Sequence, residues 1–364
     1  MVNDEYSDSF SVCFNMMKMK YSSYDKDIDE ARFLTPGDKV NVFINFETVM
    51  KYLSQIKDID KKLILDREHD VIFVTGALNL AAHYKRLFRQ NGLQTRVFLY
   101  YTDLLSEAYQ LYDKNDEYRT YYNQKFLYNP RFSLLGESLT KVVIPEIKLV
   151  SEFIPGVYFI SAHDFEGSLI PMIIAEMEPG WKNLIISGDA YDTQYQCFPD
   201  KYLMHYIKRS PGNAEISFDI AKTARLLFFD KEERAGVDAM VKNPSFYCLL
   251  LAAKGSKPRT IDPIKGFGAK TIMKYITTAV RDGLINPDTS SVELIAENFP
   301  EDIREEIITN AYCTNLQDQY KRLTNEDIFS VQKQMIDRFD NNSLVSLNSD
   351  RYYHHQLMLN ELTM

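Results

Sequence analysis

Along the first half of the chain, short apolar runs alternate with stretches of helical spacing. Residues 40–46 (VNVFINF) are apolar between polar flanks, which predicts a strand buried on both faces. Residues 47–57 carry apolar side chains at helical spacing, 70–74 (DVIFV) repeat the strand signature ahead of a helix over about 77–90, and 95–101 (TRVFLYY) predict another strand. The pattern then predicts a helix over 135–153, a strand over 157–161, a helix over 166–177 and a strand over 183–187 (NLIIS). Residues 202–207 and 215–218, parted by Ser210, Pro211, Gly212 and Asn213, predict a hairpin. This alternation predicts an α/β fold, a mainly parallel sheet with helices on both faces. From residue 221 the pattern is largely helical until 340–352 (DNNSLVSLNSDRY) break it, and the end of the chain to residue 364 predicts a short helix.

The organisation that follows is an irregular arm over 1–37, an α/β domain over 38–220, a helical region over 221–345 and a tail over 346–364. A Tyr-rich, charged stretch at 106–130 interrupts the α/β alternation and predicts an arch-like insertion at about 104–132. Its Tyr118, Tyr121 and Tyr122 suit stacking on single-stranded bases or a protein interface.

Composition narrows the chemistry. The chain has 364 residues, 45% hydrophobic and 26% charged, which excludes disordered and fibrous classes. No run of about 18 apolar residues predicts a membrane span, and an acidic, polar first stretch is not a secretory signal, so a soluble, unexported, cytoplasmic chain is expected, in the host cell cytoplasm or, if viral, the virion. Cys13, Cys197, Cys248 and Cys313 lie far apart and read as buried thiols. A net charge of −9 runs against a surface that grips nucleic acid everywhere, so any such contact must be local.

One segment concentrates the chemistry of such a contact: residues 255–272, GSKPRTIDPIKGFGAKTI. Gly266 and Gly268 permit a tight turn, and Ala269, Lys270, Thr271 and Ile272 open a helix whose first N–H groups face outward, an anion site. With Lys265 and Lys270 beside it, a nucleic-acid phosphate is the natural occupant, the plain alternative being a turn between two core helices. Lys85, Arg86 and Arg89 share one helix and suit either a phosphate backbone or a solvated face. His163 reads as a cap or packing residue, His354 and His355 as too short a run for a metal.

The segment 255–272 resembles the helix-three-turn-helix motif of the 5′-nuclease family (flap endonucleases and bacteriophage exonucleases), which typically runs G-D-K-S-D-N-I-P-G-I-P-G-I-G-P-K-T-A. Gly255, Lys257, Ile261, Ile264, Gly266, Gly268, Lys270 and Thr271 carry the match. Upstream, SGDAYDTQY at 187–195 is similar to the family's S-G-D-x-D-x-x-Q, AHDFEGSLI at 162–170 to its G-Y-E-A-D-D helix start, FVTG at 73–76 to its F-D-G strand, and Tyr84, Lys85 and Arg86 to its basic Y-K-x-x-R. IDRFDNNSL at 336–344 is similar to its closing R-F-x-x-x-S-L. The motifs occur in the family's order over about 40–345, which implies a PIN-like domain followed by the helical motif.

The resemblance also implies a carboxylate cluster holding Mg²⁺ at the strand ends, and there this chain departs from it. Asn45 stands where the first strand of the family carries Asp, with Glu47 in reach, and Thr75 stands at the F-D-G position. Glu166 is retained, but Ser168 and Leu169 follow; Asp189 is retained, but its partner is Tyr191, and Asp192, shifted by one, is expected to point elsewhere. Ser256 and Arg259 replace the two Asp of the turn motif, and Arg259 is expected to repel a cation near Asp189. Asp189, Glu166 and Glu47 remain as acidic candidates, with a weak Mg²⁺ at Asp189 and Glu166 or a K⁺ at the Gly266–Gly268 turn as possible ions. The expectation is a catalytically degenerate, DNA-docking or scaffold subunit of a larger viral assembly. An active Mg²⁺-dependent 5′–3′ exonuclease or flap endonuclease and a purely structural protein that binds no nucleic acid are the alternatives.

Overall fold

A computed structural model describes residues 34–53, 68–102, 143–162, 165–210, 213–217, 219–228, 242–256, 261–286 and 290–336. Six strands form one sheet: β1 (Lys39–Asn45), β2 (Gln94–Thr102), β3 (Val157–Ala162), β4 (Lys182–Ser187), β5 (Tyr202–Ser210) and β6 (Asn213–Ser217). Their order is β3-β2-β1-β4-β5-β6, five strands in parallel and β6 antiparallel to β5 as the hairpin requires. The central strands read as nearly unbroken apolar runs because both their faces are covered. Alternation along β1 divides them: Val40, Val42 and Ile44 join a core beneath the helices α1 (Phe46–Leu53), α2 (Glu68–Gln90) and α3 (Ile144–Phe153), whereas Phe43 joins the core under α4 (Ile170–Met177). Phe43 and Phe98 stack there at 5.1 Å.

The strand expected at 70–74 is instead the start of helix α2. Val74 is followed by Ala77, Leu78, Ala81, Tyr84 and Phe88, all buried, so the apolar spacing of three and four runs unbroken to the helix end. An apolar run of four residues is shared by a buried strand and a buried helix face, and the residues after it decide between them. Residues 73–76 therefore lie in a helix, not on an F-D-G-like strand, and Thr75 does not stand at a strand end. The helix expected over 166–177 is split into a 3₁₀ turn, Gly167–Leu169, and α4, with Pro171 in the first turn of α4, where a missing N–H costs nothing.

The second half is helical where described: α5 (Ile220–Phe228), α6 (Pro244–Lys254), α7 (Ala269–Arg281), α8 (Val292–Ala296), α9 (Glu301–Thr314), α10 (Leu316–Arg322) and α11 (Asn325–Ile336). A separate apolar core built on α6 holds α5 and α7–α9 together. Helix α11 turns back onto the open side of β3, where the Gln334 side-chain amide accepts from Ser161 N–H at 2.9 Å and donates to Ser161 C=O at 2.8 Å. That amide imitates the next strand and covers a sheet edge. No helix among the described residues is long and apolar enough to cross a membrane. The predicted arm, the arch-like insertion with Tyr118, Tyr121 and Tyr122, and the tail lie outside the described residues, apart from 34–37.

Candidate functional site

Two places draw the candidate residues together: the carboxyl ends of the strands, and the turn before α7. At the strand ends the centre is a residue expected to point away. Asp192 opens a 3₁₀ helix, Asp192–Cys197, just beyond β4, and is fully buried. Its Oδ2 accepts hydrogen bonds from Asn45 Nδ2 at the end of β1 (2.9 Å), Tyr100 OH on β2 (2.8 Å) and Ser187 Oγ at the end of β4 (2.5 Å). The one-residue shift that moves Asp192 out of register in the motif is absorbed by the tight 3₁₀ turn, which aims its carboxyl inward. Oδ1 is buried and has no hydrogen-bond partner. Burial, and after it the nearby charge of Asp189, raise the Asp192 pKa against the opposing pull of the Ser168, Ser187 and Asn45 side chains.

Asn45 has two tasks. Its Oδ1 accepts from Thr48 N–H at 3.1 Å, capping the first turn of α1, while its Nδ2 serves Asp192. An Asp there could cap but could not donate, and would set a second carboxylate against Asp192 in a buried space. Asp189, half-buried, turns in on its own loop: Oδ1 accepts from Tyr191 N–H and its backbone N–H donates to Ser187 Oγ, both at 3.0 Å. Glu166 is buried just beyond β3, and Glu47 is half-buried in the first turn of α1.

A hydrated divalent cation needs several anionic oxygens with free lone pairs. Here the deepest carboxylate has three neutral hydrogen-bond donors aimed at one oxygen, and those hydrogens repel a cation. Among the described residues no group of three or more His, Cys, Asp or Glu side chains is placed to hold a metal ion. Asp192 Oδ2 is thus closed to a cation, while Oδ1 remains an unpartnered buried acceptor. Arg259, expected beside Asp189, lies outside the described residues, as do His163, His354 and His355.

At the second place, helix α7 begins at Ala269 directly after the Gly266–Gly268 turn. Gly268 caps α7 with no side-chain cap; Thr271 N–H and Ile272 N–H bond its carbonyl at 2.9 and 3.1 Å. Ile264, Phe267, Ile272 and Ile276 face the helical core, and Phe267 packs on Tyr275 and Phe299 with centroids 5.4 Å away in both cases. Lys265, Gly266, Gly268 and Lys270 are left on the exposed side, with Thr271 half-buried. Ile264 N–H bonds Ala253 C=O at 3.0 Å, and the Asn310 amide bridges Ala252 C=O and Asp262 C=O, so the turn is pinned to α6 and α9. The Lys85 ammonium donates to Pro155 C=O between α3 and β3, while Arg86 beside it is exposed.

Cys248 and Cys313 are buried as expected and Cys197 is half-buried, while Cys13 lies outside the described residues. Burial pushes the Cys248 thiol up to about 12, which keeps it protonated and inert.

No family model matches the chain. Nor does any curated protein match it. Among solved structures it is similar to the bacteriophage T5 flap endonuclease in a pseudo-enzyme–product complex with DNA and metal ions, at 14% identity over 80% of this chain and 99% of that one, with a TM-score of 0.45. It is also similar to the same phage's protein co-crystallised with metal ions (13% identity, 89% and 99% covered, TM-score 0.45). A third is the flap endonuclease-1 of Methanococcus jannaschii (14% identity, 90% and 93% covered, TM-score 0.40).

Proposed function

We propose that this chain is a 5′-nuclease-like protein that docks on a nucleic-acid phosphate backbone without hydrolysing it, as a scaffold subunit of a larger viral assembly. The observation that carries the docking is the mouth of α7: an uncapped helix start at Gly268, apolar residues packed inward, and Lys265 and Lys270 exposed on either side. Helix-start N–H groups and the adjacent ammoniums favour an anion there, and the exposed Gly266 and Gly268 let a backbone approach closely. The net charge of −9 confines such attraction to this patch and favours a protein partner over scanning of DNA.

What supports the loss of hydrolysis is the Asp192 carboxyl, occupied by Asn45, Tyr100 and Ser187. Incubation with 5′-labelled flap and single-stranded substrates in Mg²⁺ or Mn²⁺ should give no cleavage; cleavage that Asp189→Ala abolishes would overturn the reading in favour of an active nuclease. Binding of a branched duplex should fall with salt, and Lys270→Glu should weaken it and lower the salt slope by about one or two. Unchanged affinity in Lys270→Glu removes the docking role and leaves a purely structural protein.

A further inference from the structure

The hydrogen bonds that hold Asp192 at the strand ends have a structural counterpart in the residues that follow it. The two residues after it leave the sheet and enter the helical half. Thr193 Oγ1 and Tyr247 OH of α6 share a hydrogen bond at 2.6 Å, both buried. Gln194, also buried, donates from Nε2 to Thr314 C=O at the end of α9 (2.7 Å) and accepts at Oε1 from Leu316 N–H at the start of α10 (3.3 Å). Three consecutive side chains thus reach β1, β2 and β4 on one side and α6, α9 and α10 on the other. Helix α6 in turn carries the turn that precedes α7, through Ala252 and Ala253.

We infer that Asp192, Thr193 and Gln194 form an internal strap that holds the helical half on the carboxyl ends of the strands, with the hydrogen-bonded Asp192 carboxyl as its anchor and no divalent ion needed to hold it. Asp192 is in this sense a positioning residue, since it touches no exposed surface and acts through the elements it ties. Its anchoring demands neutral donors around it, which is why an amide at Asn45, a phenol at Tyr100 and a hydroxyl at Ser187 meet on one oxygen: each contributes a hydrogen and none a competing charge. A strap of this kind makes the fold indifferent to chelators, and it stands whether or not the mouth of α7 binds nucleic acid.

The test uses the full chain and reads stability and local hydrogen exchange. The unmodified protein should melt at the same temperature in EDTA and in millimolar Mg²⁺ or Mn²⁺. Tyr100→Phe removes one donor without adding charge, and should speed exchange at the Thr193, Gln194 and Leu316 amides about tenfold while leaving amides of α2 unchanged. Asp192→Ala strips the acceptor from three buried donors and should lower the melting temperature well beyond Tyr100→Phe, up to failure to fold. A divalent-dependent rise in the melting temperature of the unmodified protein overturns the inference, as does Tyr100→Phe exchange that is unaltered at the strap or raised equally in α2. Because none of these readouts involves nucleic acid, failure of the docking reading leaves them untouched.

Discussion

Three glycines around the turn have the same side chain and should respond differently to the same methyl group. Gly255 ends α6 at φ +68° and ψ 175°, a region essentially reserved for glycine, and a Cβ there would lie 2.5 Å from Ile261 O, 2.6 Å from Pro263 N and 2.7 Å from the Asp262 carbonyl carbon. All three are main-chain atoms, which cannot rotate away. The conformational penalty of about 1–3 kcal/mol and an overpacking cost of about 1–3 kcal/mol place Gly255→Ala at roughly 4 kcal/mol of lost stability. Gly266 has φ +76° but open space around it, so Gly266→Ala should cost only about 1–2 kcal/mol. Gly268 has an ordinary φ of −78° and open space, so Gly268→Ala should change stability by no more than about 0.5 kcal/mol. That same methyl stands at the mouth of α7, and should weaken binding of a branched duplex by about tenfold, ~1.4 kcal/mol. Urea denaturation ranks the three stabilities, and fluorescence anisotropy reads binding. Equal stability losses at Gly255 and Gly266 would refute the close backbone approach; native affinity in Gly268→Ala would refute the phosphate site.

Other outcomes follow from buried polar groups. His205 on β5 is fully buried, and desolvation lowers its pKa to about 3; it stays neutral in the fold while the unfolded chain takes up a proton near pH 6.5. Stability from this site is complete above pH 6.5 and declines as pH falls, by about 1.4 kcal/mol per unit, so urea midpoints should drop between pH 6.5 and 5 and His205→Gln should flatten that slope. Arg96 lies over the Trp181 ring at 3.7 Å, pairs with Glu178 and donates to Asn41 Oδ1 at 2.9 Å; a lysine cannot stack and fork at once, so Arg96→Lys should cost about 1–3 kcal/mol by thermal unfolding. Gln334→Ala uncovers the N–H and C=O of Ser161 on the sheet edge, which should cost about 1–2 kcal/mol and raise self-association in light scattering.

Local chemistry was legible in the residues alone. The strands β1 to β5 announced themselves as apolar runs, the hairpin by its Pro211 and Gly212, and the α7 mouth by Gly266, Gly268 and the lysines, because each depends on neighbours within a few positions. Where a local signal was shared by two structures, as at 70–74, only packing along the whole length of α2 decided. Lys85 shows the same limit on a smaller scale: helix spacing placed it, but the carbonyl of Pro155, which arrives from a distant turn, determined what its charge does.

The strand-end pocket was beyond such reading. Asp192 takes its donors from positions 147, 92 and 5 residues away, and its spacing in the motif argued that it faced elsewhere. Sequence determined that carboxylates at the strand ends were few and that an amide stood at Asn45. Only the folded chain determined that this amide, a phenol and a hydroxyl converge on one buried acid, because parallel strands far apart in sequence end side by side, and a buried carboxyl must find its hydrogen bonds among whatever those ends present.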